Sequence, residues 1–531
     1  MMDNFNKTDS LQVEDISKLD HDPFYSKQSA HRGALLEEEE RQLTIWQSAK
    51  AHKFALLICC IPFCGASLYG YDSIVNGATL SMPAFLLYFG DIDASGAYLP
   101  SIWTSLWNAM SLLCQAVGAF FIGFITDKYG RKWPACCSAM LTIAGTAMQY
   151  TADSRGLLLG GKMVNGFGIG AVTAVSATYA SEIAPLKLKG PVQQALVLFY
   201  VFMMALGLGV IRIYVPDMSL HSFRTVFAIQ WAVGGLTIIA YALAPESPNY
   251  LIAKGQLRRA HKVMSLLHGK DNSIDDRLTY LNKVILEEHE RKESEAGSYI
   301  DCFKGPDLRR TLTVIFLYTA QNWGGAALLA QSIYFLIIAG LPSIHAFDVS
   351  IGGFALSLII IVLSWLFNDK ASCRNVLLVA CVLNFLIMLV IGVLYYVPGD
   401  GAVWGIAVLM NVLISFQTSL FLGMGYRIAA DVASYRLRAK TLSVGVVSQA
   451  FIAWLTQFTV PYMYNVDSGN LGARTGFVFA GFSVLLIAGT WFIVPETTNL
   501  TAAEIDQAYK DHVPVRKFQS YIRTSQTSDE P

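Results

Sequence analysis

Long apolar runs alternate with short polar connections along this chain. The runs fall at roughly 54–75, 101–125, 133–151, 157–180, 191–211, 226–244, 311–340, 349–367, 375–397, 403–428, 441–461 and 474–494. About 20 residues of helix cross a bilayer. Lipid offers a backbone no hydrogen-bond partner, so stretches of this length must be helical there. The pattern predicts an all-α membrane protein with twelve transmembrane helices. An even number of crossings leaves both termini on one face.

Lysine and arginine choose that face. The loops 76–100, 341–350 and 397–402 carry neither residue. The opposite loops hold Lys128, Arg131, Lys132, Lys187, Lys189, Lys370, Arg374, Arg436, Arg438 and Lys440, and that face also takes both tails. The excess of positive charge predicts cytosolic termini, and the expected location is the plasma membrane. Sequons at Asn6 and Asn499 would then go unglycosylated. The first 50 residues are polar and acid-rich and show no signal-peptide pattern, so the first span is expected to serve as the targeting signal. The predicted organisation is a cytosolic tail over 1–53, six helices over 54–244, a charged cytosolic linker over 245–310, six more helices over 311–494 and a second tail over 495–531.

Composition supports a lipid environment: 54% of residues are hydrophobic and 15% charged, against about 25% charged in soluble domains. A formal net charge of zero gives no sign of a nucleic-acid partner. Most of the nine cysteines lie in or beside apolar spans and read as small apolar residues. No metal-ligand, Walker or Ser-His-Asp pattern stands out, so neither a cofactor nor an enzymatic activity is expected. The expected partners are lipid, a small-molecule substrate and protons, with the chain working as a monomer.

The sequence repeats itself. Asp127-Lys128 and Asp369-Lys370 follow the second and eighth runs, Glu182 and Asp431 the fourth and tenth, and Pro245-Glu246 and Pro495-Glu496 the sixth and twelfth. The acidic residues of the three pairs lie 242, 249 and 250 residues apart. Such regular offsets indicate a duplicated six-helix unit, a plan that puts a transport site near the midplane between the halves.

Gly123-Phe-Ile-Thr-Asp127-Lys128-Tyr-Gly130-Arg131-Lys132 fits G-x-x-x-D-[RK]-x-G-R-[RK], and on it the chain resembles the major facilitator superfamily. Further motifs resemble the sugar porters: Gly70-Tyr71-Asp72, Gly161-Lys162-Met-Val-Asn165-Gly166, Glu182-Ile-Ala-Pro185, Pro245-Glu246-Ser247, Gln321-Asn322-Trp-Gly-Gly325 and Pro495-Glu496-Thr497. Pro461-Tyr462-Met463, Asn470-Leu-Gly-Ala-Arg474 and Arg516-Lys-Phe518 are similar to fungal maltose and α-glucoside permeases. The resemblance covers about 50–520. It implies a major facilitator fold of two six-helix bundles and a secondary active transporter working by alternating access, with proton-coupled uptake of an α-glucoside or hexose.

A carboxylate inside a span is costly and is by default a functional-site hypothesis. Asp72, with Lys162 as its expected partner, is the candidate for proton coupling; the alternative is a static buried ion pair that fixes helix packing. The resemblance implies that Gln321, Asn322 and Tyr426 contact substrate. Asp127, Arg131, Glu182, Glu246, Asp431, Arg438 and Glu496 would form a cytosolic gate. The glycines at 161, 166, 168 and 170 read as close helix packing.

The chain also departs from the pattern. Positions where the family carries an amide hold Val197 and Ala327, an aromatic position holds Gln331, and the loop after the eighth run lacks Gly-Arg-Arg. One reading is another sugar, recognised through Gln193, Gln194 or Gln331. The other is a non-sugar substrate, such as a fungal secondary metabolite, imported or exported. A sugar sensor without net flux is a minor third, disfavoured by the short tail.

Overall fold

The computed structural model describes residues 27–93, 96–268, 274–294, 299–367, 372–434, 437–498, 500, 502–511 and 513–518. The sequons and the Asp369-Lys370 repeat lie outside them. The apolar runs form twelve helical spans. The first six are Lys53–Ala78, Ser101–Tyr129, Lys132–Tyr150, Arg155–Ile183, Lys189–Tyr214 and Leu220–Leu243. The seventh comes in pieces, Gly305–Trp323, Ala326–Ala330 and Ser332–Ile338. The eighth and ninth are Ser343–Phe367 and Cys373–Leu394. The tenth runs from Asp400–Phe416 through a π-helical turn, Gln417–Phe421, into Leu422–Val432. Arg438–Tyr464 and Thr475–Ile493 complete the set.

Among the described residues nine helices are by themselves long and apolar enough to cross a membrane. The other three are the seventh and tenth, which are interrupted, and the third, which is rich in small polar residues and packs between the fourth and sixth.

Two bundles result. In the first half the second and third spans pack on the fourth, the third on the sixth, and the first on the fifth. In the second half the ninth packs on the twelfth, the seventh on the eleventh, and the eighth on the tenth. The halves meet where the second span lies against the eleventh and the fifth against the eighth. Span-four glycines permit tight packing: a Cβ at Gly166 would stand 2.5 Å from the Ser111 carbonyl oxygen of the second span.

The seventh span breaks at Gly325, whose φ of +98° suits glycine far better than other residues. The break leaves the Gly324 carbonyl outside the helical ladder. Gln417 Nε2 donates to it at 2.8 Å and Asn384 Nδ2 at 3.1 Å. Irregular backbone at membrane depth is tolerated where protein groups satisfy it in this way.

The two faces of the molecule are built differently. At the face away from the tails, one apolar core runs through both halves, joining Leu80, Phe85 and Trp107 to Leu328, Phe335 and Phe347. At the tail-bearing face the core is split, with Tyr179 and Tyr241 in one cluster and Val314, Ile428 and Tyr509 in another. Polar bonds follow the same division. Ser101 N donates to Asp467 Oδ2 at 2.8 Å, and the Ser101 hydroxyl donates to Oδ1 of the same carboxylate. Asn465 Nδ2 donates to the Leu99 carbonyl at 3.2 Å, and Leu99 N donates to the Tyr334 hydroxyl at 3.0 Å. Arg212 Nε reaches Asp348 Oδ1 at 2.8 Å. All of these cross between halves at the far face. The structure is therefore closed there.

Three linker helices, Pro248–Ala253, Leu257–His268 and Ile274–Ser294, lie at the tail-bearing face. The tail helix Lys27–Gln42 packs along the last of them. Glu40 ties them together, with Arg277 Nη1 at 2.5 Å and His52 Nε2 at 3.0 Å. Burial pushes the Glu40 carboxyl up, but the hydrogen bonds and charges of His52 and Arg277 outweigh it and hold the pKa down at about 2.

Asp467→Ala should loosen the far-face closure by about 2 kcal/mol, since it removes hydrogen bonds to a charged group. Spin labels at Met218 and Tyr396, exposed on the far face of opposite halves, should then show a longer-distance population; an unchanged distribution refutes the latch. Because the Glu40 pKa lies below its ordinary value, the tie is fully present above about pH 4.5 and is lost as pH falls toward 2. Hydrogen-exchange protection of 27–42, relative to the intrinsic rate at each pH, should stay constant from pH 5 to 8 in the wild type and be lower in Glu40→Gln throughout that range.

Candidate functional site: a midplane cavity and a buried carboxylate

A cavity of about 810 Å³ lies between the halves. The first, fourth and fifth spans line one side, through residues such as Tyr69, Ser73, Ser176, Gln193 and Tyr200. The seventh, eighth, tenth and eleventh line the other, through Gln321, Phe354, Gln417, Tyr426 and Gln449. No lining side chain is charged. Two tyrosine pairs flank the space. Tyr69 stacks on Tyr200 with ring centroids 4.8 Å apart, and Tyr426 lies 4.7 Å from Tyr318. The Tyr426 hydroxyl donates to Gln449 Oε1 at 2.9 Å.

The residues expected to contact substrate divide. Gln321, Tyr426 and Gln193 line the cavity, as does Val197. Asn322 is buried beside Gln321 and is not part of the lining. Gln194 is exposed outside it. Gln331 is buried, donating to Gln457 Oε1 at 2.8 Å and accepting from the Tyr464 hydroxyl at 2.6 Å. Its amide joins the seventh span to the eleventh.

Asp72 is 1% exposed, within the first bundle. Its Oδ2 accepts from Asn76 Nδ2 at 2.8 Å. Its Oδ1 accepts from Gln230 Nε2 at 3.0 Å and from Asn165 Nδ2. Lys162, fully buried, donates instead to Asn76 Oδ1 at 2.8 Å. The two charges are thus joined through the Asn76 amide, which gives a proton to one and a lone pair to the other. On the same helix, Tyr69 nearly one turn earlier and Ser73 next in sequence line the cavity. Asn76 and Gln230 escaped the sequence reading because an amide in an apolar run has no signature until its partner is known. The Asp72–Asn76 spacing of one helical turn was the available clue.

The seven residues expected to form a gate fall into two separate groups. Arg131 Nη2 meets Glu182 Oε1 at 2.8 Å, its backbone N–H donates to Glu246 Oε1 at 2.8 Å, and its contact with exposed Asp127 is a loose 3.9 Å. Gly130, at φ +87°, makes the turn that brings Arg131 to Glu246. In the second half Asp431 accepts from the Thr497 hydroxyl at 3.1 Å, and Glu496 accepts from Ser372 and Thr498. Arg438 lines a small cleft with Asp431. Arg310 enters that cleft too, paired with Asp506 at 2.8 Å; both come from segments outside the repeated motifs. Among the described residues, every hydrogen bond and ion pair of the seven stays within its own half.

This geometry defines a two-bundle membrane protein with a central cavity closed at one face. The profile of the sugar (and other) transporter family matches residues 57–509, and the chain belongs to that family, within the major facilitator superfamily, whose members are transporters and not enzymes. The chain is similar to "MFS transporter fmqE" of Aspergillus fumigatus, 40% identical over 91% of this chain and 92% of the relative. It is 26% identical to the "General alpha-glucoside permease" of Saccharomyces cerevisiae, over 97% of this chain and 85% of that one. Among solved structures, the inward open conformation of the xylose transporter XylE from E. coli superimposes with a TM-score of 0.67 at 18% identity, covering 85% of this chain and 99% of that one.

If Asn76 links two buried charges, removing either charge alone should be costly and removing both should not. Lys162→Met is expected to cost about 3–5 kcal/mol, the usual price of leaving a buried charge unpaired. Adding Asp72→Asn should recover most of that loss. Thermal unfolding in detergent reads both, and a double variant no more stable than Lys162→Met argues against charge pairing.

Proposed function

We propose that this protein is a proton-coupled secondary transporter that carries an uncharged small molecule through the midplane cavity by alternating access. The observation that carries the reading is the asymmetry of the core, continuous across the halves at one face and divided at the other. A rocking pair needs this, because opening one face must separate surfaces that the other face then joins. With the tails in the cytosol at the plasma membrane, the present state faces inward.

The gate residues fit the same cycle. Arg131, Glu182 and Glu246 in one half, and Asp431, Arg438 and Glu496 in the other, keep their bonds local while the inner face is open. In the opposite state their unsatisfied valences would meet across the gap. Asp72 serves as the proton site. Three amide donors, with the Lys162 charge relayed through Asn76, surround its carboxylate; protonation weakens those bonds and frees the first span to shift. Gln321 and Tyr426 would contact the solute.

The family and the α-glucoside permease relatives support a sugar as that solute, taken up with protons. A second reading, a non-sugar small molecule, is supported by the apolar wall at Val197 and by the greater similarity to a relative named only as an MFS transporter.

The coupling test needs no identified solute. Double spin labels at Met218 and Tyr396 should report a pH-dependent change in the far-face distance in the wild type. The same labels in Asp72→Asn should give one distribution at every pH. A distance that still follows pH in the variant removes Asp72 from the coupling role. Labelled maltose and glucose, offered to yeast lacking its own carriers with and without an uncoupler, decide the sugar reading.

A further inference from the structure

Most polar groups on the cavity wall are already committed to the protein. Gln417 Nε2 donates to the Gly324 carbonyl at 2.8 Å and to Asn384 Oδ1 at 2.7 Å, which uses both amide protons. The hydroxyls of Thr173, Ser350, Ser357 and Thr418 each donate to a carbonyl of their own helix at 2.8–3.0 Å. A hydroxyl has one proton, so these groups can only accept. Gln193 gives one N–H to the Ala177 carbonyl at 2.9 Å. Gln449 has its oxygen occupied by Tyr426 and keeps its NH2. Gln321, at the break of the seventh span, has no side-chain partner among the described residues.

Free amide capacity therefore reduces to Gln321, the NH2 of Gln449 and one edge of Gln193. The surroundings are the Tyr69–Tyr200 stack, Tyr426 with Tyr318 behind it, Phe354, the hydroxyls of Ser73, Ser176 and Ser332, and aliphatic side chains. A buried hydroxyl without a partner is unfavourable, and sites built for hydroxyls select by pairing them. A sugar carries hydroxyls around its whole rim; their protons can meet the accepting hydroxyls here, but their oxygens find amide donors only at Gln321, Gln449 and Gln193. A flat apolar ring can rest on the tyrosine, Phe354 and aliphatic part of the wall, and one amide edge would suffice for Gln321, which offers a donor and an acceptor side by side.

We infer that the cavity takes a neutral aromatic amide. Its ring system lies between the Tyr69–Tyr200 stack of one half and Tyr426 of the other, and its amide edge pairs with Gln321. This rests on the transport reading and names the solute class for the same cavity. Neutrality follows from the uncharged lining, since a charge brought here would have no counter-ion.

The test uses the purified full-length chain in detergent, titrated by calorimetry with benzanilide and, separately, with maltose. Benzanilide should bind saturably and maltose should give no heat of binding. Gln321→Ala should weaken benzanilide about fivefold, the effect of one hydrogen bond, and Tyr426→Ala should weaken it further. Val197→Asn, which adds an amide to the wall, should weaken benzanilide and not abolish folding, as judged by an unchanged elution profile. Benzanilide binding that ignores both Gln321→Ala and Tyr426→Ala is micelle partitioning and overturns the inference. Tighter binding of maltose overturns it as well, as does binding of neither compound. In each of those cases a far-face distance that still responds to pH through Asp72 leaves the transport reading standing, so the two failures are separable.

Discussion

The architecture depends on one constraint: lipid supplies no hydrogen bonds, so each polar group drawn into the membrane must find its partner inside the protein. The break at Gly325 is tolerated because two amides from neighbouring spans satisfy the carbonyl it strands. Asp72 is tolerated because three amides surround it and a fourth contact carries the charge of Lys162 to it through Asn76. These two places, where irregular backbone and buried charge are accommodated, are also where the proposed functional chemistry lies. Span seven presents Gln321 at its break, and span one presents Tyr69 and Ser73 beside its carboxylate.

The same constraint bears on the proposed movement of the halves against each other. Helix contacts within each half are numerous and close, as Gly166 against the Ser111 carbonyl illustrates. Contacts between halves lie toward the far ends of a few spans, where Asp467, Asn465 and Arg212 make their bonds and one apolar core bridges the two bundles. A handful of hydrogen bonds, each contributing about 1 kcal/mol net, can be exchanged for others at the opposite face. Rigid bundles with an exchangeable seam are what alternating access requires.

Much of the fold was legible in the sequence because periodic hydrophobicity and duplication are long-range signals. The runs, the two groups of six and the Gly130 turn are all readable without coordinates. The substrate contacts were less so. Gln193, Gln194 and Gln331 are equivalent as letters, yet the helix phase turns the first to the cavity, the second outward, and the third into a bond with Tyr464. Lys162 was expected to pair with Asp72 directly, but it bonds Asn76 instead, and the intervening amide depends on side-chain reach that spacing does not encode. Arg310 and Asp506 sit outside any repeated motif, and only the fold brings linker and tail together at 2.8 Å.

For the proposed coupling, the Asp72 network presents a difficulty whose answer points to the first span. Asp72, Asn76, Lys162, Asn165 and Gln230 all belong to the first half, so a change of charge there crosses no interface directly. The first span does cross. Its middle carries Asp72 beside the cavity wall, and its far end packs against Ser332–Ile338 of the seventh span. Near that end, a Cβ on Gly77 would stand 3.0 Å from the Ala330 carbonyl, so the two chains are in close contact beside the far-face closure. A shift of the first span on protonation would therefore be felt at the solute and at the closure together. Solute and proton need not touch each other to be coupled; it is enough that one helix borders both sites and has two packed positions.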